Sequence, residues 1–244
     1  MAEVEGSKDL ISVLWSGADI LRSKMDANEY KDYLLGIVFY KYLSDTFLIK
    51  VYDLIYDEKP KSLKVALDAY KEALEDESAE ELKEQIKSEC HYLIEPQLTY
   101  TCFADAARNN AFNRELLQKA FNNIEQSDPL FVDLFTDIDL YSNRLGNGDQ
   151  KQSDTISSLV KEIDKADLLN SDAEILGNAY EYLIGQFASE TGKKAGEFYT
   201  PQAVSKILTK IAIAGQENKK GLSVYGERVH RQGQNHSHPR LERD

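Results

Sequence analysis

The run from Glu29 to about Tyr56 limits what this chain can become. Tyr30, Tyr33, Leu34, Ile37, Val38, Phe39, Leu43, Phe47, Leu48, Val51 and Leu54 all fall within it. Asp26 followed by Glu29 supplies an N-cap pattern at its head. A helix apolar on most of its sides has to be surrounded, so this one belongs at the centre of a helical bundle. It is long for a single helix, and the polar triplet Ser44-Asp45-Thr46 predicts a break within it.

The flanking segments provide the neighbours. Residues 7–23 carry Leu10, Ile11, Leu14, Trp15, Ala18 and Leu21 at helical spacing. Residues 57–90 are acidic, with one helix suggested by Leu63, Val65, Ala66, Leu67, Tyr70 and Leu74 and another by Leu82, Ile86 and Cys90. This stretch reads as a solvated face or as an interaction surface for a basic partner. Tyr92 to Pro96 is expected to be extended, because the residue before proline is pushed out of the helical region. A helix over 111–126 uses Phe112, Leu116, Leu117, Ala120 and Ile124, and Asp128-Pro129 makes a turn. A further short helix is expected over 154–168.

Composition narrows the function classes. The 244 residues carry a net charge of −13, which argues against a free-standing, non-specific nucleic-acid binder, since phosphate contact needs clustered Lys and Arg. No apolar run reaches the ~20 residues that span a bilayer, and the N-terminus shows no signal-peptide pattern. Cys90 and Cys102 are too few for a disulfide framework or a zinc site, and read as reduced thiols in the cytoplasm. Asp133, Asp137 and Asp139 lack the glycine and terminal glutamate of a calcium loop, and His91 has no second ligand nearby. No metal site is expected. Gly146-Asn147-Gly148 lacks the third glycine of a dinucleotide loop and reads as a turn.

Chemistry concentrates in Leu176–Gln202, LGNAYEYLIGQFASETGKKAGEFYTPQ. Ser171 and Glu174 form a capping pattern ahead of a helix whose apolar face runs from Ile175 to Phe187. A loop with Gly192 and Gly196 follows, then Glu197, Phe198 and Tyr199. Thr200-Pro201 predicts a second helix from Pro201, with Val204, Ile207, Leu208 and Ile211 on one side. A helix start with unpaired N–H groups favours an anion, and the aromatic pair upstream suits a flat or apolar ligand part. Physics alone does not name that ligand. After a polar turn, residues 222–225 read as a strand.

GEFYTP following LGNAYEYLIGQFA resembles the modification (M) subunits of type I restriction–modification systems, which methylate adenine N6 in DNA with S-adenosylmethionine. KYLSDTF and FTDIDLYSNRLG resemble the helical domain and connector of the same family. The resemblance implies a mainly α chain. Residues 1–168 would form an N-terminal helical bundle, and residues 169–225 the opening helices and first strand of a truncated α/β, Rossmann-like methyltransferase domain. It implies that Glu197, Phe198, Tyr199, Thr200, Pro201 and Gln202 help bind S-adenosylmethionine. It implies as partners a DNA-specificity subunit, a second M subunit and a restriction subunit, with DNA reached through that complex and no membrane.

In the family, the strand runs into an Asp-Pro-x-x-Gly-Ser-Gly loop, and an Asn-Pro-Pro-Tyr or Asn-Pro-Pro-Phe motif follows that receives the flipped adenine. These 244 residues contain neither. Residues 226–244 hold three of the four His and four of the eight Arg and read as a disordered tail foreign to the family. The expectation is a fragment with no catalytic residue of its own and no activity alone. The alternative is a non-catalytic helical module that docks on a specificity or M subunit.

Overall fold

The apolar run forms one continuous helix. In the computed structural model, described for residues 2–166, Gly177 and residues 202–214, α2 spans Ala27–Tyr56 without interruption. The break expected at Ser44-Asp45-Thr46 does not occur, and the reason is local. Asp45 and Ser44 turn inward and each meets a partner there: Lys41 Nζ lies 2.6 Å from Asp45 Oδ2 one turn away, and Ser44 Oγ accepts a hydrogen bond from Tyr100 N at 2.8 Å. Polar residues that find partners inside the bundle do not need to end the helix. At its head, Glu29 Oε2 accepts from Asp26 N at 3.3 Å, as the capping pattern requires.

The described part of the first compact unit, Met1–Tyr199, is helical throughout its regular elements. Besides α2 these are α1 (Ala2–Arg22), α3 (Leu63–Ala73), α4 (Ala79–Cys90), α5 (Tyr100–Arg108), α6 (Arg114–Glu125) and α7 (Asp149–Ile163). Helix α2 packs against α1, α3, α5 and α7, and Tyr30, Leu34, Ile37, Tyr40, Phe47, Leu48 and Val51 are buried along it. At Gly17 the chains come close: a Cβ there would sit 2.8 Å from Leu34 Cδ2 and 3.1 Å from Leu159 Cδ1. Tyr40, Phe121 and Phe135 form an aromatic centre, with Phe121 stacked on Phe135 at 4.2 Å and Tyr40 edge-on to Phe121 at 5.4 Å.

Helices α3 and α4 match the two expected within 57–90. Residues 92–95 are non-helical before a 3-10 turn at Pro96–Leu98. Helix α5 was not anticipated. Its signal is in the sequence: Thr99 caps it, its side chain accepting from Cys102 N, and Tyr100, Phe103, Ala104 and Ala107 recur at helical spacing and are buried. Helix α7 begins at Asp149 rather than near 154. Gly146 and Gly148 take φ of 155° and 90°, so 146–148 is a turn that glycine makes possible.

Of the second unit, Thr200–Asp244, the described part is one helix, Gln202–Ile213. The expected helix over 175–187 and the strand over 222–225 lie outside the described residues. Among the described residues no helix is long and apolar enough to cross a membrane.

Candidate functional site

Of the six residues expected at the cofactor, Glu197 to Pro201 lie outside the described residues, and Gln202 opens the Gln202–Ile213 helix. A helix beginning there has its unbonded backbone N–H groups in its first turn, directly after the Phe198-Tyr199 pair. Further along, Val204, Ile207, Leu208 and Ile211 are 44%, 57%, 58% and 68% exposed. This spacing puts them on one side of the helix, so it presents an apolar stripe rather than burying one.

Within the first unit, the polar groups that the sequence singled out are placed for holding elements together. The KYLSD turn of α2 is buried, with Lys41 and Asp45 only 3% and 2% exposed. Lys41 Nζ also stands 5.2 Å from the centre of the Tyr100 ring, a cation–π contact that helps offset the loss of water. Tyr100 Oη donates to Val160 O at 2.9 Å, so one tyrosine ties the α2 turn to α7. Three further phenols act similarly. Tyr40 Oη donates to Leu98 O at 2.7 Å, Tyr70 Oη to Ile94 O at 3.1 Å, and Tyr92 Oη to Leu43 O at 3.0 Å. Burial pushes all four phenols above their ordinary pKa, most strongly for Tyr40 and Tyr100.

The connector over 131–149 is fastened at both ends. Tyr33 Oη donates to Asp139 O at 2.7 Å and Lys24 Nζ to Leu145 O at 3.2 Å, while Arg144 pairs with Glu29. On the α7 side, Thr155 Oγ1 donates to Leu145 O at 2.8 Å. The buried Arg114 guanidinium donates to Gln152, meets Asp149 Oδ1 at 3.0 Å and lies 4.3 Å from the Tyr141 ring centre. Asp139 accepts from Tyr141 N, and Asp133 adopts a left-handed φ of 63°. His91 closes α4 in a left-handed conformation at the surface. Among the described residues no three His, Cys, Asp or Glu side chains group as metal ligands. The sequence marked KYLSDTF by its polar triplet and FTDIDLYSNRLG by its aspartates, besides the resemblance of both, and showed the partners of neither. The i,i+4 spacing of Lys41 and Asp45 was the signal for an ion pair within the first of them, though not for its burial.

Residues 10–163 match the family described as the HsdM N-terminal domain, and residues 171–228 match N-6 DNA Methylase. The chain belongs to the family of type I restriction–modification methylase subunits. It is 29% identical over 219 residues to the type I restriction enzyme MpnII methylase subunit of Mycoplasma pneumoniae, covering 84% of this chain and 39% of that protein. It is 29% identical over 208 residues to the MjaVIII methylase subunit of Methanocaldococcus jannaschii, covering 83% and 31%. The crystal structure of the type I restriction–modification system methyltransferase subunit from Streptococcus thermophilus superimposes with a TM-score of 0.81 at 50% identity, over 88% of this chain and 46% of that one. The chain therefore spans less than half the length of each of these relatives.

Proposed function

We propose that these residues are the helical domain (1–168) and the opening of the methyltransferase domain (169–225) of a type I modification subunit. The complete site would transfer a methyl group from S-adenosylmethionine to adenine N6 in DNA, as part of a cytoplasmic assembly with a DNA-specificity subunit, a second modification subunit and a restriction subunit. The observation that carries this reading is the order of the two family matches, 10–163 followed by 171–228.

In this reading Glu197 to Gln202 form one wall of the cofactor pocket. The free N–H groups at the start of the Gln202–Ile213 helix are suited to the methionine carboxylate. The donor set stops there. No glycine loop follows the expected strand to let the backbone approach the cofactor, and no Asn-Pro-Pro-aromatic motif is present to take the base. The residues at hand do not complete a pocket, so no step of methyl transfer is derived from them. The exposed stripe on the Gln202–Ile213 helix fits the same picture, since a helix of an α/β domain buries that face against its sheet. Calorimetric titration of the 244-residue chain with S-adenosylmethionine should give no binding heat at micromolar concentrations. Stoichiometric binding would show that the wall suffices without the loop, against this reading.

A further inference from the structure

Helix α4 is held to the bundle more lightly than its neighbours. Ala79 and Ile86 are buried, two of its twelve side chains, whereas α6, of the same length, buries five. Packing of one apolar face supplies most of a helix's stability in a protein, and a free helix this short is marginal in water. The polar contacts of α4 do little to make up the difference. Lys83 pairs with Glu80 at 2.5 Å and Lys87 with Glu84 at 3.3 Å, both within the helix. The pair that reaches α2, Lys50 to Glu89 at 3.3 Å, joins side chains that are 38% and 47% exposed, where water leaves an ion pair little net strength. Ser78 stands at the N-cap position, but its hydroxyl donates to Asp76 at 2.8 Å and does not cap the helix. At the other end His91 is held at φ 66°, a left-handed conformation that is costly for a residue with a Cβ.

The ends of this segment are pinned where its middle is not. Tyr70, ahead of the exposed turn 75–78, and Tyr92, just after His91, both meet the ring of Phe47, at 5.5 and 5.9 Å between centres. Their hydroxyls donate to Ile94 O and Leu43 O. Residues 75–91 therefore form an excursion whose two roots close on one buried ring of α2, and its release draws neither root out of the core. We propose that α4 opens and unfolds as a local unit while the rest of the bundle stays folded, a flap over the flank of α2 beside Lys50. Opening gives up the two buried side chains, the partial cover of Leu82 and Cys90 and an exposed ion pair. It also frees His91 from its left-handed conformation. Segments with few buried side chains are the ones that open below the cost of global unfolding.

Native-state hydrogen exchange of the 244-residue chain, read on peptides from α2, α4 and α5, is the test. The amides of residues 83–90 should exchange roughly a hundredfold or more faster than the slowest of α2, after correction for intrinsic rates. Urea below the unfolding transition should accelerate α2 and α5 and leave α4 almost unchanged, because a local opening exposes little surface. Tyr40→Phe, which removes a hydrogen bond outside α4, should accelerate α2 roughly fivefold or more and leave α4 as it was. Ile86→Ala should accelerate residues 83–90 together by a common factor. Amides in α4 as slow as those of α2, or a shared response of both helices to urea and to Tyr40→Phe, would mean that α4 opens with the whole bundle and overturns the proposal. Acceleration by Ile86→Ala confined to the last turn would show fraying of one end in place of a unit, and overturns it as well.

Discussion

Lys41 and Asp45 show how single residues decide the course of the backbone in this chain. Both charges are withdrawn from water inside the bundle, one helical turn apart, and burying two charges is tolerated only when they are paired in good geometry. Replacing Lys41 with Met leaves the Asp45 carboxylate buried and deprived of that cation. The expected cost is roughly 3–5 kcal/mol of unfolding free energy, read by urea denaturation. Lys41→Met combined with Asp45→Leu should recover most of the loss, because a packed apolar pair of similar volume has no charge to strand. A double variant no more stable than Lys41→Met would show that the pair's role is not electrostatic. Part of this was legible in advance, since the i,i+4 spacing marks a lysine–aspartate contact. What the spacing does not show is which way the pair faces. An exposed pair and a buried one share a sequence pattern, and only the arrival of Tyr100 from α5 turns this one inward.

At the level of elements, the bundle is fastened by tyrosines that reach from one segment to the backbone of another. Tyr40 and Tyr92 join α2 to the α4–α5 link, Tyr70 joins α3 to that link, and Tyr100 joins α5 to α7. These phenols are held protonated by burial, with pKa values raised above the ordinary 10.0. The sign of the pH dependence follows. Below pH ~10 both folded and unfolded chains keep the protons, and the contribution to stability is complete. Above that pH the unfolded chain releases protons that the folded chain retains, so stability falls as pH rises toward the folded values. Each such phenol adds a slope of roughly 1.4 kcal/mol per pH unit in that window. Urea midpoints measured between pH 8 and 11 should be flat at first and then drop steeply, and Tyr40→Phe should make the drop shallower. A midpoint that does not respond to pH above 10 would contradict the burial of these groups. The expected helices with a clear apolar stripe reappear as α1, α3, α4, α6 and α7. Of the two departures, α5 is marked locally by its Thr99 cap and the spacing of Tyr100, Phe103, Ala104 and Ala107, whereas the unbroken α2 has a long-range cause. Ser44 Oγ accepts from Tyr100 N across 56 positions of sequence, and a local reading of 44–46 sees only a polar interruption.

For the molecule as a whole, the organisation legible in the sequence was a helical bundle followed by the start of a second kind of domain. Of this, the structure describes the helices within residues 2–166 and the helix Gln202–Ile213. The residues proposed for the cofactor were legible only through resemblance. A capped helix start with two aromatic residues before it is common chemistry, and neither charge nor spacing tells a methionine carboxylate from any other anion. The connector from Asp128 to Gly148 does more than link α6 to α7, since it is bonded to the α1–α2 turn and α2 on one side and to α7 on the other. It thereby sets where α7 enters the bundle.

We propose above that these 244 residues supply a modification subunit's helical domain and one wall of its site, without the glycine loop and the Asn-Pro-Pro-aromatic motif. It is tested by following labelled methyl transfer from S-adenosylmethionine to duplex DNA in the presence of the specificity subunit. Two proteins are compared: the chain itself, and a chimera that joins residues 1–202 to the remaining methyltransferase portion of the Streptococcus thermophilus relative. The account predicts no transfer by the chain and transfer by the chimera. Turnover by the 244-residue chain alone would contradict it.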